Sequence, residues 1–103
     1  MTDVLHIATP AEWAEAQARG TVAPPSLDAE GFVHCSTPDQ LPGTLARHFA
    51  GGGDLVLLVL DPTAVGDLRW EESVPGEPPF PHVYNAIPVA AVRSVEPVTA
   101  PAG

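Results

Sequence analysis

The stretch from residue 4 to residue 20, VLHIATPAEWAEAQARG, joins a short apolar segment to a capped helix pattern and sets the beginning of the fold. Val4–Ala8 predicts a strand. Thr9 is a favoured N-cap residue, with a proline directly after it and a glutamate three residues after it, which is the pattern of a capping box. Because Gly20 is a natural C-cap, the stretch predicts a helix over Pro10–Arg19.

The next part of the chain predicts a connection, a strand and a second helix. Thr21–Glu30 holds two prolines and several small or polar residues, so we expect an ordered but irregular connection. The residue types alternate over Gly31–Ser36 and include Phe32 and Val33, which predicts a buried strand. Thr37–Gln40 repeats the capping pattern, but Pro42 falls inside the following turn. We therefore expect a short first turn and a main helix from about Gly43 to Phe49.

Extended segments dominate the second half of the chain. Leu55–Leu60 is rich in β-forming residues and apolar on both faces, which is typical of a central strand. Further extended segments are expected over Leu68–Glu72, His82–Ile87 and Val89–Pro97, with a frayed tail after Val98. Because strands are bunched at the end of the order strand, helix, strand, helix, the pattern favours an α+β fold over a doubly wound parallel sheet.

Length and composition predict one domain that comprises all 103 residues, with an ordered core over about residues 4–97. Hydrophobic residues make up 45% of the chain and charged residues 17%, which is enough for a packed core. The longest apolar run, Leu55–Leu60, is too short to span a bilayer, and the N-terminus lacks a signal-peptide pattern. The single cysteine, Cys35, cannot form an internal disulfide, so we expect a cytoplasmic protein.

The charge balance narrows the range of partners. The formal net charge is −9, from thirteen acidic residues against four arginines and no lysine. Nucleic acids and anionic membranes are bound through several Lys and Arg contacts, so neither is an expected partner. One small anion can still be held by one or two well-placed arginines together with a helix N-terminus. We therefore expect a small-molecule ligand, while the sequence leaves the oligomeric state open.

Three of the four histidines, His6, His34 and His82, lie on or beside predicted strands. A single histidine is most often a surface residue or a satisfied core group, which is how we interpret His48, beside Arg47 on a helix. Convergence of the other three in one cleft is the alternative. Three histidines and a carboxylate suit zinc or iron, but no close-spaced ligand pair is present, and we expect no metal.

His34 is the strongest candidate among the histidines. It lies one strand step from Phe32 on the same face and precedes a helix N-terminus, where unpaired N–H groups favour an anionic ligand. Helix capping alone explains Ser36 and Thr37, but it does not explain His34 or the glycine before the strand. Cys35 is a weaker candidate nucleophile, because it would point away from a cleft that His34 faces.

A second candidate group is Phe80-Pro81-His82-Val83-Tyr84. On a strand, His82 and Tyr84 share one face, and tyrosine can stack on a planar ring and offer a hydroxyl group. The alternative is a hydrophobic loop that closes over the core. Upstream, one of Glu71 and Glu72 must face inward if the segment is a strand. Such a carboxylate could stabilise a developing cation or act as a base, and the alternative is a solvated edge.

These elements together resemble the bacterial domain of unknown function 952 family over roughly Val4–Glu96. The GF[IV]HCS and FPH-x-Y patterns are the most specific. The elements that match are His6-Ile7-Ala8, Glu12-Trp13, Pro25-Ser26-Leu27, Glu30 to Thr37, Leu55 to Leu58 and Phe80 to Tyr84.

The family's fold is similar to that of ADP-ribosyltransferases, so the resemblance implies a small split β-sheet with two helices and a nicotinamide cleft. In that superfamily, a residue on the first core strand holds ribose, a second-strand residue packs near nicotinamide, and an acid supports the oxocarbenium-like ribose. His6 matches the first position and His34 the second. Glu71 is the best match to the third, with His82 or Tyr84 as substitutes.

The resemblance thus implies NAD as a substrate that is cleaved or transferred at its glycosidic bond. The implied catalytic residues are His34, Glu71 and His82, and the implied binding residues are His6, Ser36, Arg47 and Tyr84, with Arg69 as a further group for the pyrophosphate. Three other functions stay open. They are a small-metabolite enzyme that uses His34/His82 acid–base chemistry, a non-enzymatic ligand- or partner-binding module, and a metalloprotein.

Overall fold

The computed structural model describes residues 3–101, and the elements below belong to that range. The helices are α1 (Pro10–Arg19), α2 (Pro25–Glu30) and α3 (Leu41–His48), with one 3₁₀ turn at Val89–Ala91. The strands are β1 (Val4–Ala8), β2 (Thr21–Val22), β3 (Val33–His34), β4 (Asp54–Leu60), β5 (Leu68–Glu71), β6 (Phe80–Val83), β7 (Ile87–Pro88) and β8 (Val92–Thr99).

The strands form antiparallel sheets, and the α+β class predicted from the element order is confirmed. One sheet has the order β1-β4-β8 and another the order β3-β6-β5, while β2 pairs with β7. Two backbone hydrogen bonds of 2.8 Å between Leu5 and Ser36 connect the two three-stranded sheets. This junction brings β1 beside the end of β3, where the histidines lie.

The predicted central strand is confirmed as β4, which lies between β1 and β8. Its apolar residues serve both faces of the sheet. Leu58 and Leu60 are fully buried in the main core with Val33 and Val83, whereas Leu55 and Leu57 pack in a second cluster with Leu5 and Ile7. Burial on both faces explains why the strand has no polar alternation.

Helix α1 has the predicted bounds because the local capping signals are satisfied. The Thr9 hydroxyl accepts a hydrogen bond from the Glu12 amide at 3.1 Å, and the Glu12 carboxylate accepts one from the Thr9 amide at 2.8 Å. Gly20 ends the helix in the left-handed region with φ +88°, and its N–H donates to the Ala16 carbonyl at 2.7 Å.

The prediction of an irregular connection over Thr21–Glu30 is wrong, because this segment contains β2 and α2. Pro25 occupies the first turn of α2, where a missing N–H has little cost, and Gly31 ends the helix with φ +89°. The fold therefore has three α-helices in the described residues rather than the two expected. The strand expected over Gly31–Ser36 is shorter than predicted. It comprises only Val33–His34, and Gly31 belongs to the end of α2.

Helix α3 begins at Leu41 rather than at Gly43. Pro42 lies in its first turn, where proline is tolerated. The Thr37–Gln40 capping pattern exists but closes a separate turn before the helix. The Gln40 side-chain oxygen accepts a hydrogen bond of 3.0 Å from the backbone N–H of Thr37. The Thr37 hydroxyl accepts one of 3.3 Å from the backbone N–H of Gln40.

The remaining differences concern the ends of strands. The extended segment expected over His82–Ile87 is divided into β6, which begins two residues earlier at Phe80, and the short β7. Strand β8 begins at Val92 rather than at Val89, because Val89–Ala91 forms the 3₁₀ turn. It runs to Thr99 instead of ending at Pro97, because Thr99 pairs with Asp54 at the start of β4. Within residues 3–101, no helix combines the length and the apolar character needed to cross a membrane.

Candidate functional site

A cleft of about 500 Å³ lies where β1, α3 and the β3–β6 strand pair meet. We call it the histidine cleft. The three histidines singled out from the sequence, His6, His34 and His82, contribute to its lining, and so does the exposed His48. Its lining includes His6, His34, Ser36, Arg47, Ser73, Phe80 and His82.

His34 and His82 lie opposite each other on adjacent antiparallel strands. Their Cα atoms are register partners of β3 and β6, so both side chains leave the same face of the sheet. The ring centroids are 5.5 Å apart in an edge-to-face arrangement. The neighbouring residues Val33 and Val83 point to the other face and are fully buried in the core. Strand alternation thus directs the two imidazoles to the cleft.

His34 is paired with an acid that the sequence reasoning did not single out. Its Nε2 atom is hydrogen-bonded to a carboxylate oxygen of Glu30, and both side chains are about half exposed. Glu30 is the last residue of α2, and the left-handed turn at Gly31 leads directly from it to β3. No periodic pattern reveals this pair, because the four-residue spacing crosses the end of a helix.

His82 lies at the centre of a hydrogen-bonded group and is almost completely buried. Its Nδ1 atom is 2.8 Å from a Glu71 carboxylate oxygen, and its Nε2 atom is 3.2 Å from the Ser73 hydroxyl oxygen. The ring of Phe32 stacks on it with a centroid distance of 4.1 Å and an interplanar angle of 20°. Since the carboxylate accepts a hydrogen bond from Nδ1–H, the neutral ring presents Nε2 as an acceptor to the serine.

Glu71 does not line the cleft but supports it from behind. The same oxygen that accepts from His82 accepts a hydrogen bond of 2.5 Å from the Tyr84 hydroxyl. The hydrogen bond from Tyr84, followed by that from His82, lowers the pKa of the Glu71 carboxyl. Reciprocally, the bond to Glu71 is the main reason why the pKa of Tyr84 is raised above its usual value. An ionised Glu71 therefore accepts both hydrogen bonds.

His6, the residue expected to hold ribose, is buried at the inner wall of the cleft. Its Nδ1 atom donates a hydrogen bond of 2.8 Å to the backbone carbonyl of His34. Burial lowers the pKa of His6, against smaller opposing effects of this hydrogen bond and of the nearby Glu12 carboxylate. The ring is thus held in its neutral form with the proton on Nδ1.

The two other predicted binding residues in the cleft are Ser36 and Arg47. The Ser36 hydroxyl is buried and hydrogen-bonded to Thr44 Oγ1 at 2.8 Å. The Arg47 guanidinium lies 5.8 Å from the Phe80 ring centroid, and its Nη1 atom is 3.7 Å from a Glu77 oxygen. This long ion pair is partly exposed, which leaves hydrogen-bond donors of Arg47 for an anionic ligand.

Tyr84 and Arg69 are outside the lining of the histidine cleft. The Arg69 guanidinium lies 4.2 Å from the Tyr84 ring centroid and forms a hydrogen bond of 2.9 Å with Asp67. Glu72 is exposed, so Glu71 is the inward member of that pair. Ser73 is a lining residue that the sequence reasoning missed. It follows the end of β5 at Glu71, so no regular strand pattern indicates it.

The structure gives little support to Cys35 as a nucleophile or to a metal site. Burial raises the pKa of the Cys35 thiol to about 12, so the thiolate is a minor species near neutral pH, although the residue contributes to the cleft lining. Among residues 3–101, no three His, Cys, Asp or Glu side chains are grouped so as to hold a metal ion.

Comparisons with known proteins identify relatives along almost the whole chain. The model of the family described as "Protein of unknown function (DUF952)" matches residues 7–95. The crystal structure of protein CC0527 from Caulobacter crescentus is 35% identical, with a TM-score of 0.84 over 93% of this chain and 85% of that protein. Its solution NMR structure is 36% identical, with a TM-score of 0.77 over 93% and 84%. No curated protein matches the chain.

Proposed function

The chain belongs to the DUF952 family, and from this premise we propose that the histidine cleft is the active site of an enzyme that acts on a small metabolite by acid–base chemistry. His82 is the base and His34 is the second proton-transfer group. One observation carries the proposal. The two imidazoles face each other at the cleft, and each is hydrogen-bonded to its own carboxylate.

The paired carboxylates give the histidines an orientation. A carboxylate that accepts from one ring nitrogen fixes the tautomer and directs the other nitrogen. For His82, the hydrogen bond from Nδ1 to Glu71 leaves Nε2 as the acceptor, and this atom is 3.2 Å from the hydroxyl oxygen of the cleft-lining Ser73. Imidazole is the side chain best matched to proton transfer near neutral pH. His34, at 5.5 Å between centroids, is close enough to exchange a proton with the same bound molecule.

The cleft also limits the substrate. Its volume of about 500 Å³ falls within the range of roughly 300–1,000 Å³ typical of small-molecule sites. Apolar side chains of Leu5, Ile7 and Phe80 form part of the wall, and Arg47 is the one arginine among the lining residues in the described chain. These features suit a small molecule with an apolar portion and one anionic group.

NAD is a second candidate ligand, because His6, His34 and Arg47 line the same cleft. In this version, the family's resemblance to ADP-ribosyltransferases assigns the ribose to His6, the nicotinamide to His34 and the pyrophosphate to Arg47. Glu71 would act through His82, since Glu71 is hydrogen-bonded behind that ring. Cleavage or transfer would occur at the glycosidic bond. A small split-sheet ADP-ribosyltransferase fold is part of this candidate.

The test is a metabolite screen on the purified protein, with turnover followed by mass spectrometry of the mixture. His34→Ala and His82→Asn should each remove the activity, whereas Ser94→Ala, a change at an exposed residue outside the cleft lining, should keep it. Turnover that survives both site substitutions contradicts the proposal. Binding without turnover of any compound favours instead a non-enzymatic binding module.

NAD is tested separately by calorimetry. Heat of binding at millimolar NAD or less, reduced by Arg47→Ala, supports the NAD candidate. A folded sample that gives no heat at millimolar NAD removes it while leaving the acid–base proposal intact. A cytoplasmic location remains part of the proposal, on the ground that Cys35 is the single cysteine of the chain.

A further inference from the structure

The acid–base proposal gives no role to the Ser73 hydroxyl, although Ser73 is hydrogen-bonded to His82 and His82 to Glu71. The Ser73 hydroxyl oxygen is 3.2 Å from His82 Nε2, and His82 Nδ1 is 2.8 Å from Glu71 Oε1. The order serine, imidazole, carboxylate is that of an activated nucleophile, its base, and the group that orients the base. Ser73 also lines the cleft, so its hydroxyl is accessible to a bound molecule.

Each hydrogen bond in this series has one consistent direction. Glu71 accepts from Tyr84 and from His82 Nδ1, so the neutral His82 ring carries its proton on Nδ1. The lone pair on Nε2 then accepts from the Ser73 hydroxyl. Stacking on Phe32 and near-complete burial restrict the His82 ring. The base is thus positioned before any ligand binds, which is a requirement for an efficient nucleophile.

We propose that Ser73 is the nucleophile of an acyl-transfer reaction in the histidine cleft, with a small ester or thioester as the substrate. The inference rests on the proposed function, because it uses His82 as the base. The acyl group would contact the apolar wall formed by Leu5, Ile7 and Phe80, and a negative charge on the substrate would pair with Arg47. Ser73 is assigned to the chemistry and Glu71 to the positioning of His82.

The first half of the reaction forms an acyl-enzyme. Ser73 Oγ attacks the carbonyl carbon while His82 Nε2 takes the hydroxyl proton, which gives a tetrahedral adduct with a negative oxygen. The adduct collapses, the bond to the leaving oxygen or sulfur breaks, and His82 returns the proton to the leaving group. The products are an alcohol or thiol and an ester between the acyl group and Ser73.

The second half regenerates the enzyme. His82 takes a proton from water, the hydroxide attacks the acyl carbon, and the bond from that carbon to Ser73 Oγ breaks. His82 then returns the proton to Ser73, and a carboxylic acid leaves. An ester or thioester and water are therefore converted to a carboxylic acid and an alcohol or thiol, with no oxidant, reductant or further co-reactant.

The direct test uses a fluorophosphonate, which reacts with an activated serine by forming the Oγ–P bond and releasing fluoride. We expect one adduct per chain by intact mass, located at Ser73 by peptide mapping. Ser73→Ala should lose it. Ser94→Ala, a change at an exposed serine hydrogen-bonded to Glu96, should keep it. Labelling should be slower by about 10²–10⁴-fold in His82→Asn, the range for loss of a general base.

Because a substitution of the buried His82 can impair folding, a second variant leaves His82 unchanged. Ser73→Cys places a thiol beside the same base at an exposed position. Iodoacetamide should alkylate this thiol faster than the thiol of the Ser94→Cys variant. Absence of any adduct at Ser73, or labelling that His82→Asn does not slow, overturns this inference. If the metabolite screen still finds His82-dependent turnover, the acid–base proposal stands and only the serine nucleophile is lost.

Discussion

The imidazole rings of His34 and His82 lie 5.5 Å apart across the β3–β6 strand pair, because the two residues are direct register partners. Each ring has a separate carboxylate, Glu30 for His34 and Glu71 for His82. The pairing depends on strand phase, since a slip of either strand by one residue would turn the ring on that strand away from the cleft. The site is therefore a consequence of sheet register, and its properties can be tested one contact at a time.

Tyr84 offers a direct report on Glu71, because it is the single tyrosine of the chain. The bond to Glu71 raises the pKa of Tyr84 above the ordinary value of 10.0. Titration of phenolate absorbance should show this, and Glu71→Gln should lower the pKa of Tyr84 towards 10.0, since the charge is removed. Tyr84→Phe supplies the baseline without a phenolate signal. An unchanged midpoint in Glu71→Gln would mean that the contact is absent in solution.

Glu71 also contributes to the dependence of stability on pH. Its pKa is lowered in the folded protein by Tyr84 and His82, so the folded state binds its proton less readily than the unfolded chain. The stabilisation is present above the ordinary carboxyl pKa of 4.5 and is lost as the pH falls through the lower folded value. Urea unfolding over this acidic range should show a smaller loss of stability in Glu71→Gln than in the wild type.

His6 predicts acid sensitivity at a higher pH. Burial lowers the pKa of His6 below 6.5, so the unfolded chain takes up the proton first when the pH falls. The free energy of unfolding should therefore decrease below pH 6.5, by at most about 1.4 kcal/mol per pH unit for this one proton. His6→Gln should reduce that slope. His48→Gln, at an exposed helix position, is the matched control, and equal slopes in both variants would contradict the assignment.

Gly31 connects the helix that carries Glu30 to the strand that carries His34. Its φ of +89° is in the left-handed region, while a Cβ added there would meet nothing within 4 Å. Gly31→Ala should therefore cost about 1–2 kcal/mol from backbone strain alone, without a steric clash. Gly31→Asn should cost less, because asparagine tolerates this conformation better. Thermal or urea unfolding measures both, and an alanine variant as stable as the wild type would contradict the turn.

Cys35 should be unreactive in the folded protein. Its thiol is buried and its pKa is raised to about 12 by burial, so the reactive thiolate is scarce at neutral pH. A colourimetric thiol reagent should modify it at the rate of unfolding, and at the rate of an ordinary thiol once denaturant is added. Rapid modification of the native protein would show that the β3 segment opens locally.

Local signals in the sequence predicted the elements that depend on near neighbours. The capping box at Thr9 and Glu12 fixes α1, and the apolar run Leu55–Leu60 identifies the central strand. Helix α2 was missed because Pro24 and Pro25 resemble loop residues, although Pro25 is at an acceptable helix start. The end of β8 was missed because its pairing with β4 is a long-range property.

The candidate site was also predictable only where local signals in the sequence indicate it. Strand phase and the resemblance to a known family single out His6, His34 and His82, which share the cleft. The sequence could not reveal that Glu71 is hydrogen-bonded behind His82, because that contact requires the register of β5 against β6. Glu30 and Ser73 were missed because each reaches its histidine through a turn or loop rather than a regular repeat.

The central claim is that Glu71 holds His82 with its proton on Nδ1 and its Nε2 atom available as a base. Long-range proton–nitrogen NMR of ¹⁵N-histidine protein, recorded where the imidazole is neutral, measures this tautomer directly. We expect that His82 is the Nδ1-protonated form and that Glu71→Leu shifts it towards the Nε2-protonated form common in free histidine. A wild-type His82 that is already protonated on Nε2 would contradict the account, because neither metabolite nor Ser73 could then give it a proton.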